Sequence, residues 1–166
     1  MKKLTFAAAL LLCLSLCMTA CSSFRDDVPV SDLTTAVFGA VATQGGFTAA
    51  DADYVSLEFG NPDVISQNVS EWMICASTSS QTVDEFGIFH VKDGADLDAV
   101  KQEIWDYMEA TKIKLEVYLE MYEPSEKDKL YNSQLTICGN YIIYTFLTDA
   151  DTTACTTAVK DALSGK

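Results

Sequence analysis

Three kinds of side chain in this sequence could do chemistry. Acids cluster at two places, Asp93, Asp96 and Asp98 in "KDGADLD" and Asp149 with Asp151 in "TDAD". Paired carboxylates can hold a hard cation or serve as general acid and base. The run Asp93-Gly94-Ala95-Asp96 lacks the alternating oxygen ligands of a calcium loop, however, and acids at a helix start have a plainer use, capping free amides and opposing the helix dipole. His90, the single histidine, could act as a base, but it lies in an apolar run with no Ser or Cys at motif spacing, so a structural or exposed place is expected for it. Tyr107, Tyr118, Tyr122 and Tyr131, with Trp105, could stack on sugars, yet much of this set follows a helical stripe that must bury against a sheet. The expectation is a chain with no catalytic residue, no cofactor and no metal.

Cysteine is the third kind. Of the six, Cys13 and Cys17 fall in an apolar run from Leu4 to Met18 that follows Lys2 and Lys3 and ends in the small pair Thr19-Ala20. That is the layout of a secretory signal peptide, too short for a good permanent span. Cys21 directly after the small pair looks like a bacterial lipobox, with Met18 where Leu is usual. The thiol of Cys21 would take a diacylglycerol, cleavage would leave it as the new N-terminus, and two or three acyl chains such as palmitate would hold the protein durably on the outer face of the cell membrane. Cys75, Cys138 and Cys155 then remain, an odd number that cannot fully pair. Either one bridge and one thiol form, or all three are small buried hydrophobes, which is the preferred reading.

Without its first 20 residues the chain has nine basic against 24 acidic side chains. Phosphate backbones and anionic head groups repel such a surface, so nucleic acid is excluded as a partner, while an envelope protein or a glycan stays open.

The elements that must position these residues divide as signal peptide 1–20, tether 21–30 and one α+β domain 31–166. The tether could stretch roughly 35 Å. Ser31-Asp32 reads as a cap for a helix carrying Leu33, Val37, Ala40 and Val41 and ending at Gly45-Gly46; "TAADADYVSLEFG" fits either a strand, with Val55, Leu57 and Phe59 alternating, or a helix from Asp51 to Gly60, the preferred reading, and Asn61-Pro62 opens a short helix to Asn68. "EWMICAS" and "EFGIFHVK" are strands. The stretch from Leu97 to Tyr122 keeps the 3.6-residue period of a long amphipathic helix, closed just before Pro124. "SQLTI" and "YIIYTFLT" flank Gly139-Asn140 as a hairpin, and Asp151 caps a last helix. Strand-strand-helix thus occurs twice, which predicts a mainly antiparallel four-stranded sheet packed on two helices with an N-terminal helical segment. The second and fourth strands are apolar on both sides, so the second face needs cover, supplied by 31–68 in the preferred reading and otherwise by a partner molecule.

The lipobox, "VKDGADLDAVKQEI", "MYEPSEKDKLYNSQL", "CGNYIIYTF" and "TDAD" together resemble a family of small bacterial lipoproteins, the domain-of-unknown-function family numbered 4358, from about Ser31 to Leu163. These motifs are structural, so the resemblance implies location and fold and supplies no mechanism; Cys138 before the Gly-Asn turn departs from the pattern. Two functions follow as expectations. One is a membrane-anchored extracytoplasmic lipoprotein acting as a non-catalytic binding or scaffolding module. The other is a small envelope hydrolase or transferase using the acids near Asp93 and Asp149. A solute-binding subunit is a third idea, but 146 residues are few for two closing lobes.

Overall fold

The computed structural model describes residues 24–42 and 46–165. The signal peptide 1–20 and Cys21 lie outside the described residues. In chain order the elements are α1 (Val30–Ala40), β1 (Phe47–Ala49), α2 (Tyr54–Glu58), α3 (Pro62–Asn68), β2 (Val69–Ser77), β3 (Glu85–Val91), α4 (Leu97–Tyr122), a 3-10 turn (Pro124–Glu126), α5 (Lys127–Tyr131), β4 (Gln134–Cys138), β5 (Tyr141–Phe146) and α6 (Asp149–Leu163).

The sheet has five strands, not the expected four, all antiparallel in the order β1-β2-β3-β5-β4. The extra strand, β1, is three residues pairing Phe47 with Ser77, too short to leave a periodic signature. The hairpin between β4 and β5 turns on Gly139, which alone supplies a positive φ (61°) while Asn140 does not, the pattern of a type II′ turn.

Along β5, Ile142, Tyr144 and Phe146 point to one face and Tyr141, Ile143 and Leu147 to the other; in β3, Phe89 and Val91 oppose Phe86 and Ile88. Both faces are therefore apolar, and both are covered. The two helices expected on one face lie on opposite ones. α4 covers the first face with α2, α3 and α5, and α6 covers the second together with α1. Segment 31–68 is thus split between the layers, because α1 alone fills the gap beside α6.

Helix starts are fixed partly by distant residues. At α1 the cap is Glu71, whose Oε2 accepts the Val30 amide at 3.0 Å, and not Ser31. At α6 Thr148 is the cap, accepting the Asp151 amide at 3.1 Å, while Asp151 Oδ1 accepts the Ala42 amide at 2.7 Å and ties the end of α1 to α6. Pro124, expected only to follow a helix, opens the 3-10 turn that leads into α5.

The expected tether is largely docked. The Arg25 amide donates to the Leu163 carbonyl at 2.9 Å, and Val28 both donates to and accepts from the Tyr141 hydroxyl (3.2 and 2.7 Å). Asp26 takes His90 Nε2 at 3.2 Å and Asn140 Nδ2 at 3.0 Å. Val28 and Val30 are buried in the second-face core. Residues 24–29 thus form a strap on the domain at the β4–β5 turn.

Opposite Tyr144 in the β3–β5 register stands Gly87. A Cβ there would overlap the Tyr144 ring, with Cζ at 2.8 Å. Since the ring is fully buried, it has nowhere to move. Gly87→Ala is expected to destabilise the domain by about 1–3 kcal/mol in urea unfolding. Tyr141→Phe strands both polar groups of Val28 and should cost about 1–3 kcal/mol; limited proteolysis should also cut the strap sooner.

Candidate functional site

The acids singled out by spacing do not meet. β3 and β5 run antiparallel, with His90 opposite Tyr141 at one end and Glu85 opposite Phe146 at the other. Asp93, just past β3, therefore lies at the first end, accepting Asn140 Nδ2 at 2.9 Å, and Asp149, just past β5, at the second. Asp96 caps α4 by accepting the Ala99 amide at 3.0 Å, Asp98 pairs with Lys101 at 2.6 Å, and Asp149 sits in the first turn of α6. His90 stacks on Tyr141, ring centroids 4.3 Å apart, and reaches Asp26. Among the described residues no group of three or more His, Cys, Asp or Glu is placed to hold a metal ion.

Cys75, Cys138 and Cys155 are free and buried in the second-face core. Burial pushes the Cys75 thiol up to about 11 and that of Cys155 to about 12, so at neutral pH both are protonated and poor nucleophiles.

The aromatic set divides. Tyr107 is core, whereas Trp105, Tyr118, Tyr122 and Tyr131 are all substantially exposed. The expected burial of Tyr118 and Tyr122 fails because α4, at 26 residues, runs about 39 Å against about 23 Å for the seven residues of β3. Its second half has little sheet to cover, and after Met108 only Leu119 is fully buried.

What spacing missed is a buried polar knot at the end of the sheet where β3 begins. Glu85 is 9% exposed. Its Oε1 accepts the hydroxyls of Tyr107 and Tyr144, each at 2.6 Å; the Tyr54 hydroxyl stands 3.1 Å from its Oε2 and 2.8 Å from the Tyr107 oxygen, and its single proton can go to either acceptor. The absent side chain at Gly87 lets the Tyr144 ring lie across β3 and bring its hydroxyl to Glu85. Burial pushes the Glu85 carboxyl above the usual carboxylate range, against the pull of the three donors. Burial beside this carboxylate pushes all three phenols up as well.

Next to the knot the loop between β2 and β3 is bound to α5. Lys129 Nζ lies 2.8 Å from Asp84 Oδ1 and 2.8 Å from Glu126 Oε2, and Glu126 Oε2 also accepts the Thr82 hydroxyl at 2.6 Å and the Val83 amide at 3.1 Å. Burial works against the Glu126 charge, but these donors outweigh it and hold the carboxyl below its usual range. Between this loop and α4 is a cleft of about 200 Å³, walled by Thr111, Leu115, Tyr118 and Leu119 with Asp84 and Phe146 at its sides. On the other flank of α4, Glu109, Ile113, Glu116 and Tyr131 line a second cleft of about 270 Å³. Between the two runs an exposed apolar row, Ile113 (76%), Val117 (66%) and Met121 (66%). The second half of α4 thus turns apolar side chains outward, while Tyr107 in its first half is held in the buried knot.

The fold and this surface define a three-layer α+β domain of antiparallel sheet between helices. Residues 63–147 match the family model described as Domain of unknown function (DUF4358), and the chain belongs to that family. The match takes in β2 to β5, all of α4 and α5, and three of the four members of the knot; α1, α6 and the strap fall outside it. Comparison with curated proteins and with solved structures finds no match. Among the described residues no helix is long and apolar enough to cross a membrane.

The Glu85 carboxyl gives a pH signature. Its pKa is higher in the folded chain than in the unfolded one, so the folded state holds the proton more tightly. The stability linked to this group is complete below the unfolded value near 4 and is lost as pH rises through the folded value. Glu85→Gln cannot titrate. Its stability relative to the parent should rise with pH across that window, at up to about 1.4 kcal/mol per pH unit in urea titrations. Parallel curves for the two proteins would show that the tyrosines fully offset burial.

Proposed function

We propose that this protein is a bacterial lipoprotein, held by acyl chains on Cys21 at the extracytoplasmic face of the cell membrane, whose domain is a non-catalytic binding or scaffolding module for an envelope protein or glycan. The observation that carries the binding half is the exposed row Ile113, Val117 and Met121 with Tyr118 and Tyr122 beside it, since large apolar groups grouped on a surface mark contact sites. The anchoring half rests on the sequence around Cys21, and the strap supports it. Only Ser22 and Ser23 separate Cys21 from Phe24, which lies against Gly139. The reach from lipid to domain is therefore about 10 Å, not 35 Å. That holds the β4–β5 turn toward the bilayer and the second half of α4 away from it. The rival reading, a hydrolase or transferase using the acids near Asp93 and Asp149, gains nothing from the geometry, because those acids stand at opposite ends of the sheet.

Metabolic labelling with a fatty acid, followed by fractionation, tests the anchor. The parent protein should carry label and sediment with membranes, whereas Cys21→Ala should carry none and keep its signal peptide. Label on the variant at the parental level would sink the lipoprotein reading. Amine-directed crosslinking in intact cells tests the module, which should join reproducibly to a defined envelope protein or glycan.

A further inference from the structure

We infer that the outer face of the second half of α4 is a docking surface for an amphipathic helix of a partner protein that presents basic residues along one flank. This deepens the binding-module reading and rests on it. Ile113, Val117 and Met121 repeat every four residues, so they form one ridge on the side of α4 away from buried Leu119. A ridge of that spacing packs into the groove of a second helix.

The two sides of the ridge differ, and the difference selects the partner. Along one side stand Glu109, Glu116 and Glu120. Lys112 answers Glu109, the Tyr131 hydroxyl donates to Glu116, and Lys127 lies over the Tyr131 ring, 5.9 Å from its centroid, so three carboxylates face two ammonium groups and the row stays net acidic, with Glu120 at its far end. Along the other side come Lys114, paired with Glu58 at 2.9 Å, and beyond it Tyr118 and Tyr122, ring centroids 5.2 Å apart, which offer aromatic area of the kind that anchors interfaces; the free carboxylates are thus confined to the first side. An incoming helix with apolar residues at matching spacing and Lys or Arg on the Glu side would satisfy both.

Two other occupants fit less well. A second copy brings the same acidic row on a chain of net charge −13, so like charges would face each other or the basic need would go unmet. The bilayer is disfavoured by the strap. Phe24 and Asp26 dock at the β4–β5 turn, where α4 begins, whereas the ridge lies along the half of α4 that ends beside the β2–β3 loop. Anionic lipid would also be repelled by the Glu row.

The test places a photoreactive phenylalanine analogue at Val117 of the full chain in its native cells, with the same analogue at Ile137 and at Leu57 as probes of other exposed faces. Mass spectrometry of the adducts from position 117 should find a segment with apolar residues at three- and four-residue spacing and at least two Lys or Arg on one side. Combining Glu116→Lys with Glu120→Lys should cut that yield roughly tenfold; because the first change also breaks the Tyr131 bond, Glu120→Lys alone is the control, and it should lower the yield about threefold while leaving the thermal melt unchanged. Adducts of position 117 with a second copy or with lipid would overturn the inference, as would a yield that ignores the charge reversal. Partner adducts at Ile137 or Leu57 with none at Val117 would leave the module reading standing and remove this surface. No adduct at any of the three would remove both.

Discussion

Strands β3 and β5 lie side by side in the middle of the sheet and carry apolar side chains on both faces, and most of the architecture follows from that. A strand of this kind is stable only when both faces are dry, so one helical layer cannot serve. The chain supplies two. α4 crosses the first face, with α2, α3 and α5 closing its margins. α6 alone is too narrow for the second face, and α1 and the strap complete it through Leu33, Val37 and Val28. The strap is thus a piece of core, which explains why Tyr141, a central-strand residue, spends its hydroxyl on the backbone of Val28.

The same constraint accounts for the polar knot. Glu85 sits where β3 enters the core on the face beneath α4, and a carboxylate there must be hydrogen-bonded or be expelled. Three tyrosines from α2, α4 and β5 converge on it, so one group joins the short α2, the long α4 and the sheet. The arrangement works only because Gly87 leaves room for the Tyr144 ring. A neutral, fully apolar end to the sheet would hold more simply. The knot instead adds directional bonds, which fix where α4 lies and therefore which of its residues face outward.

Much of this was legible in the sequence where the pattern was long. The 3.6-residue period of α4, the two strand runs before it, the Gly139 turn and the need to cover a second face could all be read before any coordinates. Short features were not. β1 offers three residues and no period, and α5 hides behind Pro124, which reads as a stop signal although proline also begins a helical turn well. Glu85 reads as an ordinary acid before a strand, because its partners Tyr54 and Tyr144 are 31 and 59 residues away. The acids near Asp93 and Asp149 drew attention by spacing alone, and spacing could not tell that the antiparallel register sends them to opposite ends. Tyr118 and Tyr122 kept helical phase with the core, but phase says which side a residue is on, not how far the sheet extends beneath it. Ile113, Val117 and Met121 lie opposite the core stripe in helical phase, but their apolar type spoke against exposure, and the period alone could not say that no second layer covers them.

The length of α4 links the two ends of the molecule. A helix begun at Asp96, beside the strap, and running about 39 Å must carry its last three turns beyond the seven-residue strand it covers. A shorter helix would cover most of the same core, losing Leu119 and the flank of Leu115. The extra turns bury Leu119, partly bury Leu115, and expose a ridge of three apolar side chains. Beside these turns, Lys129, Asp84, Glu126 and Thr82 bind the loop between β2 and β3 to α5, and α5 reaches α4 through the Tyr131 hydroxyl, which donates to Glu116. The buried carboxylate fixes α4 through Tyr107, and the direction in which the later turns face follows from that. The acidic row beside the ridge, on a chain already strongly negative, narrows what can come to rest there.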